Sequence, residues 1–256
     1  MDSKNFQAIY VMWLREMKRF SRDKGRVIST LAMPFFFLFS LGFGLRSSFN
    51  APGMPPEANY LDFLVPGIIG MTMLFTSTFA GLSVLWDKEF GFLKEMLVAP
   101  VSRVAIVFGR IIGGITTSFI QGILILMISF LIGFKIINPL GILTAFLFMF
   151  LIGVGFIGLG IAIASVMEDS HGFSLIVQLF IFPTFLLSGA LYPVSNLPAW
   201  LKSVIYINPL AYGVDGIRAG LIGFSQFPLL LSFSFLLIFD LLMVALASWL
   251  FSKTEA

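Results

Sequence analysis

Long apolar segments with almost no charged residues constrain this chain more than any other feature of its sequence. They lie at about 27–45, 62–85, 104–133, 140–166, 172–192 and 228–251. Each is near or above the roughly 20 residues that an α-helix needs to cross the hydrocarbon core of a bilayer. Composition agrees, since 58% of the residues are hydrophobic and 11% are charged, against about 25% charged in soluble domains. The pattern predicts an all-α polytopic membrane protein with six transmembrane helices.

The stretch before the first apolar segment is polar and amphipathic. Between residues 4 and 24, apolar side chains recur at intervals of three and four, which predicts a helix. One face holds Phe6, Ile9, Tyr10, Trp13, Met17 and Phe20, and the opposite face holds Arg15, Lys18, Arg19 and Arg22. A soluble amphipathic helix packed on a core gives the same pattern. No soluble core is available here, so an interfacial helix on the membrane is favoured.

Lysine and arginine residues are divided unequally between the two sides of the predicted bundle. Seven precede the first span, four lie in or beside the connection between spans two and three, and one follows the last span, which makes twelve against four on the other side. The cytoplasmic side keeps such an excess, so both termini are predicted to be cytoplasmic, and six spans satisfy that. We expect one domain over 1–256 in the cytoplasmic (inner) membrane, with an interfacial helix at 1–26, a bundle at 27–251 and a tail at 252–256.

Composition also limits the chemistry. Cysteine is absent, which excludes disulfides, thiolate catalysis and cysteine metal sites. The net charge is +3, and the basic residues crowd near the N-terminus, a pattern that favours membrane lipid over nucleic acid as a partner. No nucleophile stands in a recognisable arrangement with a base, so catalysis by this chain is disfavoured.

Residues 86–103, between the second and third spans, predict a short amphipathic helix on the cytoplasmic face. Asp87 and Glu89 suit a helix N-terminus, and Pro100 ends the helix before the next span. Apolar residues recur at helical spacing between them, namely Phe90, Leu93, Met96 and Leu97. One interpretation is a second membrane-surface helix. The other is a coupling element inserted into a partner that moves, because a compact helix between two spans can transmit a rigid-body displacement.

The last outer connection, residues 193–227, is moderately apolar but is interrupted by Pro193, Pro198 and Pro209. It also contains aromatic residues that favour the head-group level, namely Trp200, Tyr206 and Tyr212. The segment predicts short helices that dip into the outer interface or lie along it. A complete extra span is the less favoured alternative.

The chain resembles the membrane permeases of type-2 ATP-binding-cassette (ABC) exporters, in the drug-resistance and lipo-oligosaccharide branch. The first matching motif comprises Asp87, Lys88, Glu89, Gly91, Leu97, Val98, Pro100, Ser102 and Arg103. It departs from the family pattern at Phe92, where Thr is usual, and at Lys94, where Glu is common. The second motif is residues 187–218, and the order of elements matches along the whole chain.

The resemblance implies a permease subunit that exports an amphipathic drug, lipid or lipid-linked glycan. It implies a homodimer energised by two copies of a separate ATPase subunit. The ATPase would be contacted by a connecting helix with Trp13, Arg15, Lys18 and Arg19, and by a coupling helix with Asp87, Glu89, Phe90, Gly91, Leu93, Leu97, Pro100 and Arg103. An outer re-entrant segment would contain Gly189, Pro193, Pro198, Asn208 and Pro209.

No GxxxxGK[ST] phosphate loop occurs in the chain. The glycine-rich stretches at 42–44, 109–114 and 153–160 lack the following lysine and lie within apolar spans. ATP and Mg are therefore expected on the partner subunit, with no cofactor in this chain. We interpret Gly109, Gly113 and the glycines of 153–160 as positions where helices approach closely.

Asp240 lies near the middle of the last predicted span, where ionisable residues are rare and default to functional candidates. Helix packing, pairing across a subunit interface and contact with a pathway all remain open. An alternative function follows, an ion- or proton-coupled carrier acting alone with Asp240 as the coupling group. A membrane enzyme or scaffold is disfavoured. Asp215 and Arg218 are expected to pair on a short outer helix.

Overall fold

The computed structural model describes residues 3–45, 53–56, 58–92, 98 and 101–253. Within these ranges the chain is helical and forms no strand. The helices are α1 (Ser3–Arg22), α2 (Lys24–Gly44), α3 (Tyr60–Glu89), α4 (Arg103–Ile132), α5 (Ile142–Val166), α6 (Ser170–Leu186), α7 (Ala199–Ile207), α8 (Pro209–Ile222) and α9 (Leu229–Lys253). Short 3₁₀ turns occur at Pro139–Gly141 and Val194–Asn196.

Five of the described helices are long and apolar enough to cross a membrane, which confirms the predicted polytopic all-α class. These spans are Val27–Gly44, Tyr60–Glu89, Arg103–Ile132, Pro139–Val166 and Leu229–Lys253. Each coincides with a segment predicted from the sequence.

The fifth predicted span, at 172–192, is the apolar helix α6, which ends at Leu186. Its 17 residues extend about 26 Å at 1.5 Å per residue, somewhat less than the roughly 30 Å of hydrocarbon. Val177–Ile181 form a π-helical turn that ends two residues before Pro183. That wider turn accommodates a residue that has no N–H to donate to the preceding turn. The total of six spans remains a prediction.

Helix α3 lies at the centre of the bundle and packs against α2, α4, α5 and α8. Glycines permit its closest crossing, because a Cβ at Gly81 would overlap the backbone of Gly160 on α5, and one at Gly160 would overlap Thr78. On the other side of α5, Gly155 and Gly158 face α9 in the same way. The packing interpretation is therefore confirmed for Gly155, Gly158 and Gly160 but not for Gly153, where a Cβ would meet its neighbours at 3.5 Å or more.

The N-terminal helix α1 is amphipathic, as predicted, and it is docked on α4. A Cβ at Gly109 would meet Met12 and Ile9, and a Cβ at Gly113 would meet Glu16. The side chains of Phe6 and Tyr10, on another face of α1, are 69% and 54% exposed. One face of α1 thus packs on α4, and another face exposes apolar side chains; the predicted position of this helix at the membrane interface stays a prediction.

Two short helices occupy residues 193–227, where the sequence left a complete extra span as an alternative. Helix α7 has nine residues and α8 has 14, so neither is long enough to cross. Helix α8 is buried against α3, α5 and α9. Helix α7 lies outside this packing, with Trp200 69% exposed.

Candidate functional site

Asp87, in the last turn of α3, is buried and binds two arginines from different helices. Arg15 on α1 and Arg110 on α4 each form an ion pair with its carboxylate. Arg110 also donates to the hydroxyl of Ser83, at 3.1 Å. A buried carboxylate needs such partners, because an isolated charge in a low-dielectric interior is strongly destabilised. This single side chain therefore ties α1, α3 and α4 together.

The next two residues attach α3 to α5 and α6. The Nζ atom of Lys88 donates to the carbonyl of Met167, at the end of α5, at 3.3 Å. The Oε1 atom of Glu89 accepts from the backbone N–H and the hydroxyl of Ser170, at the start of α6, both at 2.8 Å. The three consecutive residues 87–89, which we name the α3 junction, thus contact four other helices.

Arginines of α1 also contact the rings that flank the α3 junction. The guanidinium of Arg19 lies 4.3 Å from the ring centroid of Trp86, and that of Arg15 lies 5.7 Å from the ring centroid of Phe92. Both distances are within the range of cation–π attraction. Helix α1 is therefore attached to the beginning of the connection between α3 and α4.

The end of the same connection is attached as well. The backbone N–H of Ser102 donates to Oδ1 of Asn5 on α1, at 3.0 Å, and Arg103 donates to the carbonyl of Ser252 on α9. Between the two attachments, Phe90, Phe92 and Val98 are 73%, 52% and 86% exposed. The connection is held at both ends and presents apolar side chains to its surroundings.

The predicted coupling residues are distributed differently from the sequence expectation. Asp87 and Glu89 belong to α3, which continues to Glu89, so the predicted start of a separate helix at Asp87 is wrong. The break comes at Phe90 and at Gly91, whose φ of +77° suits glycine and ends the helix. Leu93, Leu97 and Pro100 lie outside the described residues.

The predicted connecting-helix residues all lie on α1, but they point in different directions. Trp13 faces α4 and donates to the hydroxyl of Thr116 at 3.2 Å. Arg15 and Arg19 face the α3 junction, and Lys18 is exposed. The role of Arg110 was not predicted from the sequence, where this residue entered only the count of positive charges. A lone arginine in an apolar span could have indicated a buried acidic partner.

At the opposite end of the bundle, residues of the predicted re-entrant segment link α6, α7 and α8. Asn208 caps α8 by accepting from the N–H of Leu210 at 3.0 Å, and Pro209 fits the first helical position. The Asn208 amide also donates to the carbonyls of Thr184 and Leu187, at 2.7 and 2.8 Å. Of the three remaining residues of this set, Gly189 has a φ of +69°, Pro193 is buried and Pro198 precedes α7.

Asp215 and Arg218 form the predicted pair on α8, with 3.8 Å between Oδ1 and Nη1. Both are buried, and Arg218 also donates to the carbonyl of Gly189 at 3.1 Å. Burial raises the pKa of Asp215, against the opposing effect of Arg218. Burial lowers the pKa of Arg218 to about 10, so this arginine stays charged at neutral pH.

The loop after Arg218 is fixed by the same carboxylate. Asp215 accepts from the backbone N–H groups of Gln226 and Phe227, at 2.8 and 3.0 Å. The Arg218 guanidinium lies 3.8 Å from the ring centroid of Phe63 on α3. Together these contacts lock the connection between α8 and α9 onto the bundle.

Asp240 is buried on α9, where its side chain faces Gly155 of α5. Within the described part of the chain, neither carboxyl oxygen has a hydrogen-bond partner. The packing hydrogen bond considered from the sequence is therefore not formed among these residues. The same residues contain no group of three His, Asp or Glu side chains able to hold a metal ion.

Known proteins with similar sequences are transport components. The sequence profile of the family described as ABC-2 type transporter matches residues 7–222. The inner membrane transport permease YadH of Escherichia coli (strain K12) is 29% identical over 246 residues, which cover 91% of this chain and 90% of YadH. A protein named transport permease, ycf38 of Cyanophora paradoxa, is 29% identical over 83% of this chain and 73% of its own length.

A third relative is named for multidrug transport. This protein, "Probable multidrug ABC transporter permease YbhR" of Escherichia coli (strain K12), is 32% identical over 162 residues. The matched region covers 62% of this chain and 44% of YbhR. Apolar spans, the two predicted motifs and the family match agree, and the chain belongs to the ABC-2 type transporter family as an integral membrane protein.

Proposed function

We propose that this permease exports an amphipathic substrate when a separate ABC ATPase acts on the α3 junction. The family implies an ABC ATPase partner, and ATP and Mg would bind to that subunit. The observation that carries the proposal is the attachment of residues 87–89 to α1, α4, α5 and α6 at one end of the bundle. The basic residues of α1 and the α3 junction favour the cytoplasm for this end.

Force would pass from the ATPase into the membrane through α3. A displacement of the connection between α3 and α4 would move the α3 junction. The ion pairs and hydrogen bonds of the junction would then pass this movement to α1, α4, α5 and α6. Helix α3 is the most enclosed span. In its most apolar stretch of 18 residues, 83% of the residues are buried, against 17% in α2 and in α9. A tilt of α3 would therefore be shared by the helices around it, as in rigid-body switching. One hydrophobic core extends from Met12 to Phe251, which supports a single permease domain.

The substrate pathway is proposed to lie between two copies of the chain. Helix α2 exposes a row of rings, with Phe35 and Phe39 centroids 6.2 Å apart and Phe39 and Phe43 centroids 5.2 Å apart. Phe37 on the same helix contacts Phe185 of α6 at 5.9 Å. Phe185 is buried, so this contact makes α2 and α6 neighbours inside the bundle. The apolar face that we assign to the pathway comprises the ring row of α2 and the exposed Leu179 and Phe180 of α6. A homodimer served by two ATPase copies would enclose this face and admit drugs, lipids or lipid-linked glycans.

The direct test is the coupling of this chain to its ATPase. The permease would be purified with the candidate ATPase, and substrate-stimulated ATP hydrolysis would be measured for Glu89→Gln. We expect intact assembly and a loss of stimulation of about fivefold, because a neutral amide replaces the charged acceptor of the two hydrogen bonds from Ser170. Glu168→Gln is the matched control, since Glu168 is an exposed carboxylate at the same end. Unchanged stimulation in Glu89→Gln would refute the coupling role.

A second candidate function rests on Asp240, whose carboxyl oxygens have no partner among the described residues. A membrane carboxyl without a partner suits a proton- or ion-coupled carrier. The purified chain alone would be placed in vesicles under an ion gradient without ATP. Substrate accumulation that is abolished by Asp240→Asn would favour this carrier over the ATP-driven exporter.

A further inference from the structure

A concavity opens at the end of the bundle opposite the α3 junction. It has a volume of about 450 Å³, within the range of about 300–1,000 Å³ that is usual for small-molecule sites. Its walls come from α7, from the turn before α7 and from the connection between α8 and α9, with Ser195, Lys202, Tyr206 and the stretch 223–227 as the main lining. We name it the distal concavity.

Its charge favours an anion. Lys202 lies in the wall, and the described lining residues include no carboxylate. The Lys202 ammonium donates to the carbonyl of Ser195 at 2.8 Å, and an ammonium group has three donor hydrogens. Donors therefore remain for a ligand oxygen. A compact ammonium on a flexible stem suits a phosphate group as a point charge.

The rest of the wall is aromatic and polar, and it is held in place. Tyr206 is 48% exposed and meets the ring of Phe227 edge-on, with 5.7 Å between centroids. The Gln226 side chain accepts from the N–H of Val194 at 2.8 Å, which joins the two sides of the concavity. Asp215 fixes the backbone of the same stretch. The concavity is therefore preformed and offers a ring face beside a cation.

An apolar surface adjoins the distal concavity at the start of α9, directly after the lining stretch 223–227. On α7, Trp200 is 69% exposed, but it lies on the other side of that helix from Lys202 and Tyr206, which line the concavity. The first turn of α9 exposes the leucines 229–231 by 41%, 78% and 46%. Trp and Tyr favour the head-group level of a membrane. A ligand in the concavity would thus have its tails against apolar protein surface and its head beside Lys202.

We propose that the distal concavity binds the head group of an anionic phospholipid from the adjacent leaflet. The phosphate contacts Lys202, the head group lies against Tyr206, and the acyl chains follow the exposed leucines at the start of α9. A free phosphate compound would use the same cation but would leave the apolar surface unused. Binding of this lipid needs neither the ATPase nor a transport cycle, so it can fail without affecting the proposed function.

The test measures lipid binding to the full-length purified chain by native mass spectrometry. Phosphatidylglycerol and phosphatidylcholine would be titrated separately into the wild type, Lys202→Gln, Lys202→Arg and the control Lys135→Gln. Lys135 is exposed in the loop after α4, at the same end of the bundle. We expect preference for phosphatidylglycerol in the wild type, a loss of about five- to tenfold in Lys202→Gln, and near-normal binding in the other two variants.

Three results would overturn the proposal. Equal binding of the two lipids to the wild type would remove the anionic specificity. Equal losses in Lys202→Gln and Lys135→Gln would indicate general surface charge rather than this concavity. Displacement of phosphatidylglycerol by millimolar sn-glycerol 3-phosphate would assign the site to a soluble phosphate compound. Melting temperatures of all variants would be measured in parallel, and Lys202→Arg provides the charge-preserving comparison if Lys202→Gln unfolds.

Discussion

The two ends of the bundle each bury an aspartate–arginine pair, but the partners are arranged differently. At the α3 junction, Asp87 binds Arg15 and Arg110, which are 72 and 23 residues away in the sequence and lie on separate helices. At the distal end, Asp215 pairs with Arg218 on the same helix and accepts from the nearby amides of residues 226 and 227.

This difference has a mechanical consequence. A carboxylate shared by separate helices makes the position of each helix depend on the others, so a displacement of one is felt by all. A carboxylate that serves its own helix and the following loop stabilises a local shape. We therefore expect the α3 junction to transmit movement and the Asp215 site to hold a fixed cap.

The largest expected effect is that of Asp87→Ala. It leaves the buried Arg110 without its carboxylate and should lower the free energy of unfolding by about 3–5 kcal/mol. Thermal unfolding in detergent would measure this loss, and ATPase stimulation would be assayed on the folded fraction.

A double variant separates stability from coupling at the same position. Asp87→Leu with Arg110→Met replaces the buried pair by apolar side chains of similar size, which often costs little stability. We expect melting close to the wild type and ATPase stimulation still reduced. Normal stimulation in the double variant would show that the ion pairs do not transmit movement.

Asp215→Asn should be less severe. Arg218 keeps its hydrogen bond to the carbonyl of Gly189 and its cation–π contact with the ring of Phe63. The side-chain oxygen of the new asparagine still accepts a hydrogen bond from one backbone amide. We expect a loss of about 1–3 kcal/mol in unfolding free energy with ATPase stimulation preserved per folded protein. If this variant uncoupled the ATPase as strongly as Asp87→Ala, the proposed contrast between the two ends would be wrong.

Gly109→Ala tests whether the docking of α1 contributes to the junction. An added Cβ would collide with Met12 and with the backbone of Ile9, and such overpacking costs about 1–3 kcal/mol. Gly153→Ala is the matched control, because a Cβ there would meet its neighbours at 3.5 Å or more. Melting temperature and ATPase stimulation should fall for Gly109→Ala and stay near the wild type for Gly153→Ala.

The sequence predicted the helices better than their connections. Span positions follow from apolar length, and the crossing glycines follow from spacing, because both depend on local composition. The pair of Asp215 and Arg218 was also predictable, since it lies within one helical turn. Such features need no knowledge of the tertiary fold.

Predicting the partners of Asp87, in contrast, requires knowledge of the tertiary fold. Nothing local indicates that Arg15 and Arg110 converge on one carboxylate, because that depends on how α1 packs on α4, at Gly109 and Gly113 and through the hydrogen bond from Trp13 to Thr116. The continuation of α3 to Glu89 was missed for a related reason. Asp87 and Glu89 fit a helix N-terminus by composition, but their tertiary ion pair and hydrogen bonds stabilise them at a helix C-terminus.

The smallest expected effect is that of Arg19→Gln, which removes the cation–π contact with Trp86 at 4.3 Å. A contact of this kind near the surface contributes about 0.5–1 kcal/mol, so the melting temperature should change little. Because Trp86 immediately precedes Asp87, we still expect a modest fall in ATPase stimulation. Arg22→Gln removes an equal charge from the exposed end of α1 and should leave stimulation unchanged. If ATPase stimulation is the same in Arg19→Gln and Arg22→Gln, the contact between Arg19 and Trp86 does not contribute to coupling, and only the buried ion pairs of the α3 junction do.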